Sequence, residues 1–210
     1  MARILITSGP TRQHLDPVRY LSNGSSGRMG AALAAAAAEA GHRVVVVSGP
    51  VETAYPAGAE VVPVVSTEEM LAACQSVFPE CDGLIAVAAP CDYRPVIVEP
   101  QKIHKTGKLL CLELVETPDI VATLSAKKKS QWMVAFALET GDQRMRAMQK
   151  LERKNCDLIV VNGPETMYAT ETQIEILGKD AQVLGCFSGN KNEVAGSLFR
   201  IIERQLIHST

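Results

Sequence analysis

The sequence predicts an α/β fold of Rossmann-like type, with a mainly parallel sheet, helices on both faces and a C-terminal antiparallel hairpin. Three observations carry that prediction. Short β-branched or apolar runs alternate with longer alanine-rich or amphipathic stretches, a pattern that implies right-handed crossovers between parallel strands. The strand-like runs are apolar at consecutive positions, as strands covered on both faces are. Late in the chain, "TQIEILG" and "AQVLGCFSG" are separated only by "KD" and read as a hairpin.

In order, "RILITSG" (3–9) is a buried strand and 27–40 a helix started by glycine. "HRVVVVSG" (42–49) and "AEVVPVV" (59–65) are the next strands. "TEEMLAACQSVF" (67–78) has a helical apolar period, with Thr67 as its cap. "DGLIAVAA" (82–89) is a fourth strand, followed by a loop over 90–110 that is too rich in proline, lysine and glycine for an ordinary element. "LCLELV" then resumes the strands, and "TPDIVATLSAKK" is a helix capped by Thr117 with Pro118 at its first position. "WMVAFAL", the helix "DQRMRAMQKLERKN", the strand "CDLIVVN", the hairpin and the amphipathic helix "NEVAGSLFRIIERQL" complete the chain.

With 210 residues the chain can bury one sizeable core, so a single domain over 1–210 is expected. A net charge of −2 leaves no basic footprint for nucleic acid or a membrane surface, so phosphate binding must come from local geometry. The six cysteines lack CxxC pairing, and no charged-then-apolar leader precedes them. Neither a zinc site nor a secreted disulfide framework is indicated, and reduced thiols in a soluble cytoplasmic protein are expected. No apolar run approaches the roughly 20 residues needed to span a bilayer.

In an open parallel sheet, ligands collect beyond the carboxyl ends of the strands. The loops there carry "TSGPTRQHLDPVRYLSNGSSG", "SGP", "AAPCDYRP", "ALETGD" and "VNGPE". Ser25, Ser26 and Gly27 stand at the projected helix start, where free backbone N–H groups and the helix dipole favour an anion. Glycines at 24, 27 and 30 let the backbone approach both a ligand and the sheet, while tight helix packing explains the same small residues without a ligand. GxGxxG is absent and no acidic ribose clamp ends the second strand, which disfavours a nicotinamide enzyme. Asn23 reads either as a turn residue or as an amide that serves a carbonyl and an amine. Arg19 reads as a surface charge or an anion fork. Lys102, Lys105 and Lys108 form a positive cluster that either is solvated or closes over polyphosphate. Asp92 caps a turn, contacts ribose or holds magnesium through water.

At "TSGPTRQHLDPVRYLSNGSSGRMG" the chain resembles the phosphopantothenoylcysteine synthetase family of coenzyme A biosynthesis, and the likeness continues in order through "VVVVSGPV", "AAPCDYRP", "QKIHK", "TPDIVATL", "VAFALET" and "RKNCDLIVVN". The resemblance implies a cytoplasmic ligase that joins 4′-phosphopantothenate to cysteine. CTP is the co-substrate and Mg2+ accompanies it. An acyl-cytidylate forms with release of pyrophosphate, and the cysteine amine then displaces CMP. It further implies that Asn23 handles the acyl-nucleotide, that Arg19 and Ala89 serve the second half-reaction, and that Lys102 serves the first. Ala88, Asp92 and Phe136 would recognise the nucleotide, while Gly9, Ser25, Ser26 and Gly27 would lie near phosphate, with Lys105 beside the nucleotide. Metal ligands are not identified. A homodimer is implied, with the late hairpin as an available interface, and a separate flavin-containing decarboxylase is an implied partner.

Three departures stand out: Gln13 replaces an expected acidic residue, Pro90 and Cys91 stiffen the turn before Asp92, and "QKIHK" replaces a more uniformly basic segment. A non-catalytic nucleotide-binding module of the same fold is the alternative reading.

Overall fold

The computed structural model describes residues 1–138, 143–163 and 171–208. From the N-terminus, β1 (Arg3–Ser8) leads into a small hairpin, β2 (Arg12–His14) and β3 (Tyr20–Ser22), and then α1 (Arg28–Glu39). Next come β4 (Arg43–Ser48), β5 (Glu60–Pro63), α2 (Thr67–Val77) and β6 (Gly83–Ala86). Strands β7 (Tyr93–Pro95) and β8 (Leu114–Glu116) precede α3 (Ile120–Ser125), β9 (Trp132–Leu138), α4 (Gln143–Arg153) and β10 (Leu158–Asn162). The chain ends through β11 (Glu171–Leu177), β12 (Val183–Asn190) and α5 (Lys191–Ile202).

Eight strands form one sheet in the order β12-β11-β10-β9-β6-β1-β4-β5. From β10 to β5 every pairing is parallel, and β11 pairs antiparallel with both β10 and β12. The expected sheet and late hairpin are therefore present. Two reversals bring β12 back into the direction of the parallel strands, so α5 starts at the same edge of the sheet as α1.

Period-2 alternation divides the core into two layers. Ile4, Ile6, Val44, Val46 and Val160 face α1 and α5, where Leu33, Ala34, Leu198 and Phe199 meet them. Leu5, Val45, Leu84, Met133 and Ile159 face the other way, against Met70, Leu124 and Leu151 of α2, α3 and α4. Alanine along α1 lets it lie close to the sheet and to α5, and Gly30 is at the limit: a Cβ there would stand 2.1 Å from Ser8 Oγ. No helix among the described residues is long and apolar enough to cross a membrane.

The structure corrects four local expectations. The loop after β1 contains the β2–β3 hairpin. The run 110–115 does not join the main sheet; only Leu114–Glu116 is a strand, and it pairs antiparallel with β7 inside the segment read as loop. All three β8 residues are exposed, so they lack the two-sided burial that holds a parallel strand. Ser66, not Thr67, caps α2, its side chain accepting from Glu69 N–H; the Thr67 hydroxyl is buried 2.8 Å from Thr11 Oγ1. Asp119, not Thr117, caps α3, accepting from Ala122 N–H at 3.0 Å, which leaves Pro118 ahead of the helix. The start of the helix read from Asp142, and parts of the "ALETGD" and "VNGPE" loops, lie outside the described residues.

Candidate functional site

The loops that leave the carboxyl edges of β1, β4 and β6 are bonded to one another through main chain. Gly49 N–H donates to Ser8 O at 3.0 Å, and Ala89 N–H donates to Gly9 O at 2.9 Å. Gly9 and Gly27 have φ of 75°, a left-handed conformation that costs a residue with a Cβ. Their neighbour leaves little room as well, for a Cβ on Gly9 would reach 2.7 Å from Val51 Cγ1. The backbone of Cys91 is fixed on both sides: its N–H donates to Thr11 Oγ1 at 2.8 Å, and its carbonyl accepts from the hydroxyls of Thr67 and Thr117. Asn23 joins two loops directly, donating through Nδ2 to Pro90 O at 2.8 Å.

Beyond this edge lies a cavity of 490 Å³ bounded by Asn23 to Gly30, Val87 to Pro90, Asp92, Phe136, Lys150, Asn162, Thr172, Ile174 and Lys191, among others. A second, also of 490 Å³, shares Ala88, Pro90, Asp92, Phe136 and Lys150 with it and extends to Glu116 and Asp119. The structure thus brings together Asn23, Ser25, Ser26, Gly27, Ala88, Ala89, Asp92 and Phe136. Gly9 shapes the platform from behind through its carbonyl. Arg19, Lys102 and Lys105 do not line either cavity; both lysines are exposed.

Arg19 instead sits on Asp16. The wholly buried Asp16 carboxylate accepts from the N–H groups of Val18 and Arg19, each at 2.8 Å, from Ile103 N–H at 3.0 Å and from the Arg19 guanidinium. Burial pushes its pKa up, but the N–H groups of Ile103, Val18 and Arg19, with the guanidinium, outweigh that and bring it down to about 2. Gln13 turns away from the cavity and donates to Glu68 at 2.9 Å. An acidic side chain there would face another carboxylate, so the neutral amide suits this neighbour.

Among the cavity residues that sequence reasoning missed are Arg28, Lys150, Asn162 and Lys191. Asn162 ends a strand at the ligand edge, which was the available signal. Lys150 lies in a helix that reads as a solvated face, and only tertiary structure shows its Nζ donating to Phe136 O at 2.8 Å. Burial and the nearby Arg28 guanidinium lower the pKa of Lys191. Among the described residues, three cations therefore border a cavity whose one carboxylate is Asp92. The helix starts point the same way. Side chains of Ser66, Asp119 and Asn190 cap α2, α3 and α5, whereas α1 begins on Gly27 with no side-chain cap, leaving first-turn N–H groups for an anion.

No group of three potential metal ligands occurs among the described residues. The residues fit a magnesium ion that arrives on a nucleotide, because such an ion keeps water and phosphate oxygens and needs few protein carboxylates. Asp92, in the wall shared by the two cavities, is a carboxylate that such an ion could meet.

The family model described as "DNA/pantothenate metabolism flavoprotein C-terminal domain" matches residues 1–206. The chain is 42% identical over 194 residues to the coenzyme A biosynthesis bifunctional protein CoaBC of Bacillus subtilis (strain 168), covering 91% of this chain and 46% of that protein. It is 47% identical over 163 residues to the protein of the same name from Escherichia coli (strain K12), covering 76% of this chain and 40% of that one. The chain thus spans less than half the length of these relatives. A crystal structure of the C-terminal domain of a coenzyme A biosynthesis bifunctional protein CoaBC aligns with a TM-score of 0.85 at 37% identity, over 98% of this chain and 95% of that one.

Proposed function

The chain belongs to the family of the DNA/pantothenate metabolism flavoprotein C-terminal domain, and on that premise we propose that it joins 4′-phosphopantothenate to cysteine with consumption of CTP, as a ligase of coenzyme A biosynthesis. The observation that carries this reading is the cavity that unites an uncapped helix start, three cations and the amide of Asn23 at the carboxyl edge of the sheet.

The substrate carboxylate attacks the α-phosphorus of CTP, and pyrophosphate leaves with the electron pair of the broken P–O bond. The cysteine amine then attacks the acyl carbon of the acyl-cytidylate, CMP departs, and the amine loses a proton. A nucleotide monophosphate leaves far more readily than oxide, so the protein needs to position reactants and stabilise developing negative charge. Arg28, Lys150, Lys191 and the first N–H groups of α1 supply positive potential. Asn23, tied to Pro90, stands where an amide can orient the activated carbonyl. Ala88 and Ala89 keep that wall thin, and Phe136 offers a flat face to a base. Lys102 serves the first step, Arg19 the second, and Lys105 lies beside the nucleotide, roles that rest on the family resemblance. Mg2+ would neutralise triphosphate charge, with Asp92 in the wall shared by the two cavities available to it.

A homodimer is part of the proposal. Uncovered apolar side chains concentrate on and beside the β7–β8 arm, with Ile97 70% and Leu109 89% exposed, so the arm is a better interface than the late hairpin. All six cysteines are free, in accord with a reducing, cytoplasmic setting. The reading calls for a phosphopantothenoylcysteine decarboxylase to consume the product. Protein given 4′-phosphopantothenate, cysteine, CTP and Mg2+ should release pyrophosphate and CMP in equal amounts. Tight CTP binding without either product would instead establish a non-catalytic module.

A further inference from the structure

The segment that carries Lys102 is not simply a free strap. The next residue is held at both of its backbone groups: Ile103 N–H donates to Asp16 Oδ2 at 3.0 Å, and Ile103 O accepts from Arg19 Nη1 at 3.0 Å. A third tie lies just before it, where Glu99 N–H donates to Leu15 O at 2.9 Å. All three reach the β2–β3 hairpin, the same hairpin that runs directly into Asn23 and the Ser25 to Gly27 turn. Asp16 is the centre of this arrangement, since its second oxygen accepts from Val18 and Arg19 N–H and so fixes the tight turn that presents Arg19.

We propose that Asp16 is a positioning residue: with Arg19 it pins the Lys102–Ile103 peptide to the hairpin, setting where the Lys102 side chain stands relative to the Asn23 platform. A buried carboxylate that accepts only backbone and guanidinium donors has no free oxygen for substrate, so its effect on the reaction passes through the pinned segment. Two loops separated in sequence by more than eighty positions, Asp16 to Ile103, thereby move as one body. The pin assigns the Arg19 side chain a structural task in the first half-reaction besides the one the family resemblance gives it. The consequence for turnover rests on the proposed ligase reading and on Lys102 serving activation; the consequence for the segment itself does not.

Asp16→Asn keeps the size of the side chain and places an NH2 group against donors. The Lys102–Ile103 bond is a trypsin site that includes the pinned amide, whereas Lys105–Thr106, three residues on, has no tie to Asp16 and serves as an internal control. In the full chain, Asp16→Asn should speed cleavage after Lys102 by about tenfold relative to cleavage after Lys105, the size expected when a charge-assisted bond no longer opposes opening. Equal acceleration at both sites, or none at Lys102, overturns the pin. The second arm is a double-mutant cycle on pyrophosphate release. Asp16→Asn and Lys102→Gln should each slow it, and the double variant should be no slower than Lys102→Gln alone. Additive losses would make Asp16 a general stabiliser and overturn its action through Lys102. Unchanged pyrophosphate release by Lys102→Gln would refute the role of that lysine, and the proteolysis arm would then decide the pin by itself. Retention of the wild-type unfolding midpoint by Asp16→Asn separates either result from loss of fold.

Discussion

Asn23 shows how much one amide is asked to do. Its Nδ2 bonds Pro90 O, so it couples the loop before α1 to the loop after β6 before any substrate arrives. Asn23→Asp replaces that donor with an oxygen facing a carbonyl. Activation should persist while amide formation slows by about a hundredfold, the size of losing one well-placed donor to a developing charge. Acyl-cytidylate trapped on quenching would verify it, and wild-type turnover would remove Asn23 from the second step. The sequence made Asn23, Asp92 and the Ser25 to Gly27 turn visible because each sits at a strand end or helix start. Asp16 was invisible there. A lone aspartate before proline reads as a turn former, and its partner Ile103 is fixed only by the tertiary fold.

At the scale of the element, α1 is defined by what it omits. Its buried positions are glycine, alanine and one leucine, and its start is bare of a capping side chain. The close approach at Gly30 makes a direct prediction: Gly30→Ala pushes Ser8 Oγ from 2.1 Å of the new methyl, and overpacking should cost ~1–3 kcal/mol. A fall in the urea midpoint at unchanged slope would show it; a rise would mean that helix propensity wins. Strands with consecutive apolar residues were legible, β9 to the residue. Caps shifted by one or two positions because several hydroxyls and carboxylates compete near each helix start. In each case the winner was the side chain directly before the first helical residue, while Thr67 and Thr117 turned inward to Cys91 O. The β7–β8 pairing was missed, with part of β8 read as a main-sheet strand, because β8 is exposed throughout and proline and glycine mask the pairing.

Across the whole molecule, the alternation of strand and helix was sufficient to find the sheet and its parallel sense, and so the carboxyl edge where the loops gather. It did not show that the last hairpin returns the chain to that edge and sets Lys191 in the cavity wall. Nor did it separate two surfaces of different character, a charged recess at the strand ends and an apolar arm beside it. If the arm joins two copies, replacing both Ile97 and Leu109 with aspartate should convert a dimer to a monomer in sedimentation velocity without lowering the unfolding midpoint of the sheet. A wild-type monomer, or a dimer that survives both changes, would place the contact elsewhere.

Part of the latch among the loops after β1, β4 and β6 is main chain alone, Gly49 N–H to Ser8 O and Ala89 N–H to Gly9 O. Ala89 has only a methyl group to lose, so an alanine or glycine scan passes over its chief contribution, the N–H that holds Gly9. Most replacements there preserve the latch and test only the space in front of it. Proline alone deletes the donor, which makes imino-acid substitution, or an ester in place of the amide, the probe suited to a site whose architecture is written in backbone.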